Sequence, residues 1–263
     1  MAARPGFRRW TREETIIVFN LYCQIPFKDS NKSHPDVQRF AKLVNRSPSA
    51  VNMKIGNFGS FDPELKKRGI TGLRNASRLD RQIWDEFHND WQTLIEESER
   101  LIAEKEKTLD DAPAVDPVPE NKELPERLGG ERLAVRRVRE NQPFFRKAIL
   151  SAYESECCIT GIDIETLLVA SHIKPWAESD STEKLNPQNG LCLNALHDRA
   201  FDRGLITVAD DYTIMVSEQV SRSTNDAVRD LLLTYEGRQI KLPSRFVPRT
   251  DFIQWHRNNV FAH

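Results

Sequence analysis

One stretch limits what this chain can fold into: residues 167–208, LLVASHIKPWAESDSTEKLNPQNGLCLNALHDRAFDRGLITV. It opens on an apolar, β-branched run, Leu167 to Ala170, which reads as a buried strand ending at Ser171-His172. A polar loop follows, broken by Pro175 and Asn186-Pro187, and Asn189-Gly190 turns the chain into a second short apolar run, Leu191-Cys192-Leu193. Asn194 is suited to cap a short helix carrying Ala195, Leu196, His197, Ala200 and Phe201, with Gly204 as its stop. Strand, loop, strand and helix thus bring a strand-end histidine, a loop asparagine and a helical histidine towards one another.

The order His172…Asn189…His197 on a ββα frame resembles the HNH (ββα-metal, His-Me finger) endonucleases. More narrowly, "SHIKPW" and "NGLCLNALHDRAFDRGL" resemble a bacterial restriction-type subfamily whose nuclease domain accompanies an N-terminal helical module. The resemblance runs from about residue 142 to the C-terminus. It implies that His172 is the general base, that Asn189 fixes the loop behind it, and that His197 binds a metal ion. A histidine suits the first role because it titrates near neutrality and can take a proton from water, a service that contributes about 10²–10⁴-fold. A divalent ion can polarise the phosphate and stabilise the leaving oxygen. Mg²⁺ is the first choice, with Mn²⁺, Ni²⁺ or Zn²⁺ as alternatives.

Each residue also has a plainer reading. A strand-end histidine can be structural, Asn-Gly is a turn dipeptide in its own right, and His197 sits on an apolar helix face where a packed histidine would serve. The family often places Asp or His before the base, as a metal ligand; here Ser171 stands there. Asp202 and Asp198 are the nearest oxygen donors, Asp202 being the candidate second ligand although it lies five residues from His197, on another side of an ideal helix. Many relatives frame the ββα unit with two Cys-x-x-Cys zinc pairs. Cys157-Cys158 lacks such a partner, and Leu193 and Leu196 stand where the second pair would be, so no structural zinc is expected.

The chain's 263 residues suggest two domains. Net charge is −1, but it is unevenly spread: residues 1–81 hold 16 Lys/Arg against 7 Asp/Glu, and residues 82–126 hold 4 against 14. A basic N-terminal unit is suited to phosphate contact, and an acidic, Pro-rich segment is suited to a linker. We therefore read residues 1–107 as a helical domain, 108–128 as the linker, and 129–263 as the nuclease domain with its core at about 157–208. A basic helix bearing Arg132, Arg136, Arg137 and Arg139 is expected after the linker. The fold class is α+β. MAARPGFRRW lacks the apolar core of a signal peptide, no run would span a membrane, and four cysteines make no disulfide framework, which points to the cytoplasm.

In the N-terminal part, Thr11 and Glu14 form a capping box for a first helix, Pro35 begins a second, and Ser47-Pro48 begins a third bearing Asn52, Lys54 and Asn57. This resembles a helix-turn-helix unit, whose last helix enters the major groove of DNA in readers of that kind. A loop-rich Asn57–Asn75 stretch exposes basic residues, and one long helix is expected from Leu79 to about Lys107. Candidate DNA contacts are Lys54, Lys66, Lys67, Arg68, Arg74, Lys174, Arg199 and Arg203. The leading expectation is a metal-dependent endonuclease cutting double-stranded DNA, of restriction or antiphage type, acting alone, as a homodimer or with a defence partner. The alternatives are a non-catalytic DNA- or partner-binding protein on a decayed version of the fold, and an RNA substrate.

Overall fold

The computed structural model describes residues 8–73, 75–110 and 143–262. Arg74, the segment from residue 111 through the expected linker, and the basic helix with Arg132, Arg136, Arg137 and Arg139 lie outside the described residues. Contacts divide the chain into two compact units: Met1–Asp62 with Gly69–Gln142, and Pro63–Arg68 with Pro143–His263.

In the first unit, helix α1 (Arg12–Gln24) is central: every residue from Glu14 to Cys23 is buried. Thr11 and Glu14 close its capping box. Helix α2 (Pro35–Leu43) packs beside it, and Val44 to Ser47, with Asn45 at φ +49°, turn the chain into α3 (Pro48–Gly59), which Ser47 caps. An aromatic cluster of Phe19, Phe58 and Trp84 fills the centre, with Phe19–Phe58 ring centroids 4.8 Å apart. The short helix α4 (Pro63–Lys67) falls within the second unit and carries Lys66 and Lys67, which are exposed, as is Arg68.

The expected single helix from Leu79 to Lys107 is two, α5 (Arg78–Phe87) and α6 (Trp91–Asp110). Asp90 accounts for the break: its carboxylate accepts from Thr93 N at 3.1 Å, so it caps a new helix. His88 sits at the break, stacked on Trp84 at 4.3 Å.

Lys54 does not face solvent. It is 3% exposed, its Nζ lies 2.5 Å from Asp80 and 4.5 Å from the Trp10 ring centre, and Asn57 Nδ2 bonds the other Asp80 oxygen at 2.8 Å. Asp80 also closes the capping box of α5 with Ser77. A buried carboxylate requires a countercharge, and Lys54 supplies it, which removes it as a contact to phosphate. Met53 on α3 does face outward, 61% exposed.

In the second unit, helix α7 (residues 143–152) is followed by strands β1 (Leu168–His172) and β2 (Gly190–Asn194), paired antiparallel with Leu168 opposite Asn194 and His172 opposite Gly190. Helix α8 (Ala195–Asp202), capped by the Asn194 side chain, packs on this hairpin. Gly204 stops it at φ +67°, and a Cβ there would lie 2.1 Å from the Val260 carbonyl oxygen, so only glycine fits. A second hairpin, β3 (Ile206–Val208) with β4 (Ile214–Val216), leads to the short helices α9 (Glu218–Ser221) and α10 (Asp226–Leu231). Helix α11 (Thr250–Asn259) then closes the unit on β3. Among the described residues no helix is long and apolar enough to cross a membrane.

His256 of α11 is a fastener of this unit. It stacks on Phe201 at 3.6 Å, its Nε2–H donates to the Phe201 carbonyl at 3.1 Å, and its Nδ1 accepts the Thr207 hydroxyl at 2.8 Å. Burial, opposed by the Phe201 carbonyl, lowers its pKa to about 4. The unfolded chain therefore takes up this proton first as pH falls. Stability from His256 is complete above about pH 6.5 and is lost as pH drops towards 4, on the order of 3 kcal/mol. Thermal melts across that range should show a shallower acid slope for His256→Gln than for the wild type; parallel curves would contradict this.

Candidate active site

The site is assembled around the loop between β1 and β2. His172 ends β1 and is partly exposed. Its ring lies flat against Phe145 of α7, with centroids 4.0 Å apart and planes 6° from parallel, and meets the edge of Trp176 at 5.7 Å. Nε2 lies 2.9 Å from the Lys184 carbonyl oxygen. A carbonyl can only accept, so Nε2 bears the proton and Nδ1 keeps its lone pair. Burial lowers the His172 pKa, opposed by the Lys184 carbonyl, which leaves the ring neutral at pH 7. A neutral imidazole with a fixed tautomer can accept a proton through one defined atom.

Asn189 is fully buried and closes the loop. Its Oδ1 accepts from Lys174 N at 2.8 Å, while Nδ2 donates to Lys174 O at 3.1 Å and is within 3.3 Å of both Ser179 Oγ and Glu183 O. The Asn189 backbone carbonyl also accepts from Ile173 N at 3.0 Å. Both ends of the loop are thereby tied, one residue away from the Lys184 carbonyl that holds His172. Asp180 tightens the same loop by accepting from Thr182 N and Glu183 N at 2.7 and 3.0 Å.

Gly190 is extended, at φ −140°, so the Asn189-Gly190 pair does not need glycine for a positive-φ turn. The glycine is needed for space: an added Cβ would lie 2.4 Å from Ile149 Cδ1 and 2.8 Å from Phe145 Cζ.

His197 departs from expectation. It is 2% exposed, its Nδ1 is 3.1 Å from Asn194 Oδ1, and Tyr235 meets its ring edge-on at 5.3 Å. Its Nε2 is buried without a well-formed hydrogen bond among the described residues, although the Leu231 carbonyl is near enough to raise the ring's basicity slightly against the lowering by burial. His197 as placed is not open to a metal, since its ring is 2% exposed and its Nε2 is buried. Asp202 is not grouped with His197 either; its neighbour is Asp198, one helical turn earlier. Burial first, then the Asp198 charge, raises the Asp202 pKa.

Among the described residues no group of three His, Cys, Asp or Glu side chains is placed to hold a metal ion. A two-carboxylate set remains, Asp198 and Asp202, at the i, i+4 spacing that puts both on one helix face. Its chemistry fits Mg²⁺, a hard cation that takes one or two carboxylates and keeps several waters, and a divalent charge relieves the repulsion that perturbs Asp202.

Of the expected DNA-contacting cations in this unit, Arg199 and Arg203 are exposed on or beside α8. Lys174 is not available in the same way, because its Nζ pairs with Glu183 at 2.6 Å and lies over the Trp255 ring. Lys67 pairs with Glu64 at the surface, a contact weak enough to exchange for a phosphate. Cys157, Cys158 and Cys192 are buried free thiols. Burial pushes the Cys158 thiol well up and that of Cys192 to about 12, so they remain protonated.

Asp198 and Asp202 were both expected as oxygen donors but not as a pair on one helix face, and no role was expected for Phe145 or the Lys184 carbonyl. The i, i+4 spacing of Phe145 with Ile149, and of Asp198 with Asp202, was the available signal.

Residues 157–209 match the family model described as HNH endonuclease. The matched segment holds the β1–β2 hairpin, α8, His172, Asn189, His197 and both carboxylates. The C-terminal half therefore carries an HNH endonuclease domain, which suggests nuclease activity. No curated protein matches the chain.

Proposed function

We propose that this chain is a metal-dependent endonuclease that hydrolyses DNA phosphodiester bonds. The observation that carries the reading is the state of His172: neutral, partly exposed and fixed through Nε2, with Nδ1 left to act as a base. Nδ1 takes a proton from the water that attacks phosphorus. Asn189 and Lys184 hold the ring's plane and tautomer while this happens, so no part of the attack energy is spent on ordering the base. Asp198 and Asp202 would hold the divalent ion, Mg²⁺ first and Mn²⁺, Ni²⁺ or Zn²⁺ as alternatives; when bound, it supplies charge stabilisation at the phosphate and the leaving 3′-oxygen. Arg199 and Arg203 contact the DNA backbone beside it.

The N-terminal unit serves recognition of a DNA target or of a partner protein, in restriction or antiphage defence in the cytoplasm, while Lys66, Lys67 and Arg68 of the second unit contact DNA. The capped α2–turn–α3 arrangement supports a helix-turn-helix reading of that unit, whereas the inward turn of Lys54 and Asn57 favours a groove contact made by other residues.

Asp198→Asn and Asp202→Asn test the metal assignment. Each should weaken Mn²⁺ binding, read by electron paramagnetic resonance, and reduce plasmid nicking by about 10–100-fold with the melting temperature held or raised, since a repulsive pair is relieved. Unchanged Mn²⁺ affinity in both variants would remove the pair from the site. A second reading, a non-catalytic DNA-binding protein on the same fold, is favoured by the sealed ring of His197 and by Ser171 in the place of a ligand. Retained DNA binding without nicking in Mg²⁺, Mn²⁺, Ni²⁺ or Zn²⁺ would establish it.

A further inference from the structure

Phe145 stands outside the matched segment and belongs to a different element from His172, yet it makes the closest ring contact that His172 has. The contact depends on a gap in the hairpin. His172 faces Gly190 across the β1–β2 ladder, and Phe145 Cζ with Ile149 Cδ1 occupies the space where a side chain at 190 would project. Because Gly190 has an ordinary extended backbone, conformational freedom does not explain the glycine; room for Phe145 and Ile149 of α7 does.

Three restraints then act on one ring from different directions. The Lys184 carbonyl holds Nε2 in the ring plane, Phe145 covers one face, and the Trp176 ring meets it at 90°. Phe145 and Ile149 are themselves buried on α7, and Arg146 between them donates to the Leu168 carbonyl at 2.8 Å, which anchors α7 to the start of β1. The covering ring is therefore held by the scaffold rather than by the loop.

We infer that Phe145 is the positioning residue of His172, and that position 190 is kept free of a side chain so that Phe145 can reach the base. The inference rests on the nuclease reading for its effect on rate, but its effect on the imidazole is independent of any reaction. A hydrogen bond to one nitrogen leaves the ring free to swing about that bond; a flat aromatic surface removes that freedom and keeps Nδ1 aimed in one direction.

The test uses the full-length protein as wild type, Phe145→Leu, Phe145→Met, Gly190→Ala and the double variant Gly190→Ala/Phe145→Leu. Side-chain ¹⁵N spectra of His172, thermal melts, and single-turnover plasmid cleavage with its DNA dependence are recorded for each. The wild type should show one neutral tautomer with the proton on Nε2. Phe145→Leu and Phe145→Met should show exchange between tautomers, with the single-turnover rate at saturating DNA lowered at least about tenfold and the half-saturating DNA concentration unchanged. Gly190→Ala should melt lower than the wild type. The double variant should recover part of the lost melting temperature, because the shorter leucine relieves the clash at Phe145 Cζ while that at Ile149 Cδ1 remains, yet stay as slow as Phe145→Leu. That split between stability and rate separates positioning from packing. A single Nε2–H tautomer and full rate in folded Phe145→Leu and Phe145→Met would overturn the inference. The spectra are read whether or not DNA is cut. A wild type inert towards DNA that still loses its single tautomer in Phe145→Leu would remove the nuclease reading and uphold the positioning one.

Discussion

His172→Ala is expected to lower the rate of DNA cleavage by about 10³-fold or more while leaving DNA affinity unchanged within about twofold. The size of the effect follows from what the ring does. Its Nε2 is committed to the Lys184 carbonyl, so Nδ1 is the atom free to act as base, and an alanine removes it outright. Affinity should persist because contacts to phosphate oxygens dominate binding to DNA, and His172, neutral at pH 7, contributes no charge to them. The pH dependence should carry the same signature. With the pKa of His172 lowered by burial, cleavage by the wild type should hold its plateau below the ordinary histidine value of about 6.5 before falling on the acid side. Fluorescence anisotropy for binding and a nicking assay for rate separate the two effects. An alanine variant that loses binding and cleavage together would place His172 in DNA contact and not in proton transfer.

The second large effect is expected at Asn189. Asn189→Ala removes the acceptor for Lys174 N, leaving that amide unpaired, and the donors to Lys174 O and Glu183 O, which keep the Ser179 hydroxyl and Asn186 N. An amide left unpaired costs about 1–3 kcal/mol, so a loss of that order is expected in denaturant melts. The rate should fall by about 10²-fold even at temperatures where the variant is fully folded, because the Lys184 carbonyl that orients His172 belongs to the loop that Asn189 closes. Asn189→Asp is the sharper variant. Its carboxylate can still accept from Lys174 N, but it faces the carbonyls of Lys174 and Glu183 with no proton to offer, at a position with no solvent access. It should be less stable than Asn189→Ala at neutral pH and recover on mild acidification, as the carboxylate gains a proton. Equal stabilities of the two variants at all pH values would show that the donor side of the amide does not hold the loop.

Much of the local structure was readable from the chain. The caps at Thr11, Ser47 and Asn194 act through side-chain bonds to amides two or three residues on, and such short-range chemistry is written in the sequence. The strand end at His172 and the stop at Gly204 belong to the same class. What was not readable depended on partners far along the chain. Lys54 reads as a solvated helix cation until Asp80 is placed against it, and a buried carboxylate then claims it. The helical period runs through His88 to Asp90 unbroken, so only the capping bond from Asp90 reveals two helices. His197 carries the family pattern, yet the short segment ending at Tyr235, distant in sequence, closes over its ring. The glycine at 190 reads as half of a turn dipeptide, and its actual role as a space for Phe145 and Ile149 appears only once α7 is laid beside the hairpin. Local rules fix the elements, whereas the site depends on which elements meet.

The measurement that bears most directly on the whole account is the nicking of a supercoiled plasmid by the wild-type protein beside His172→Ala, with Mg²⁺ or Mn²⁺ added and then chelated. Nicking by the wild type should start with the metal, stop with EDTA and be absent from the alanine variant. Nicking that survives both EDTA and the loss of His172 would contradict this.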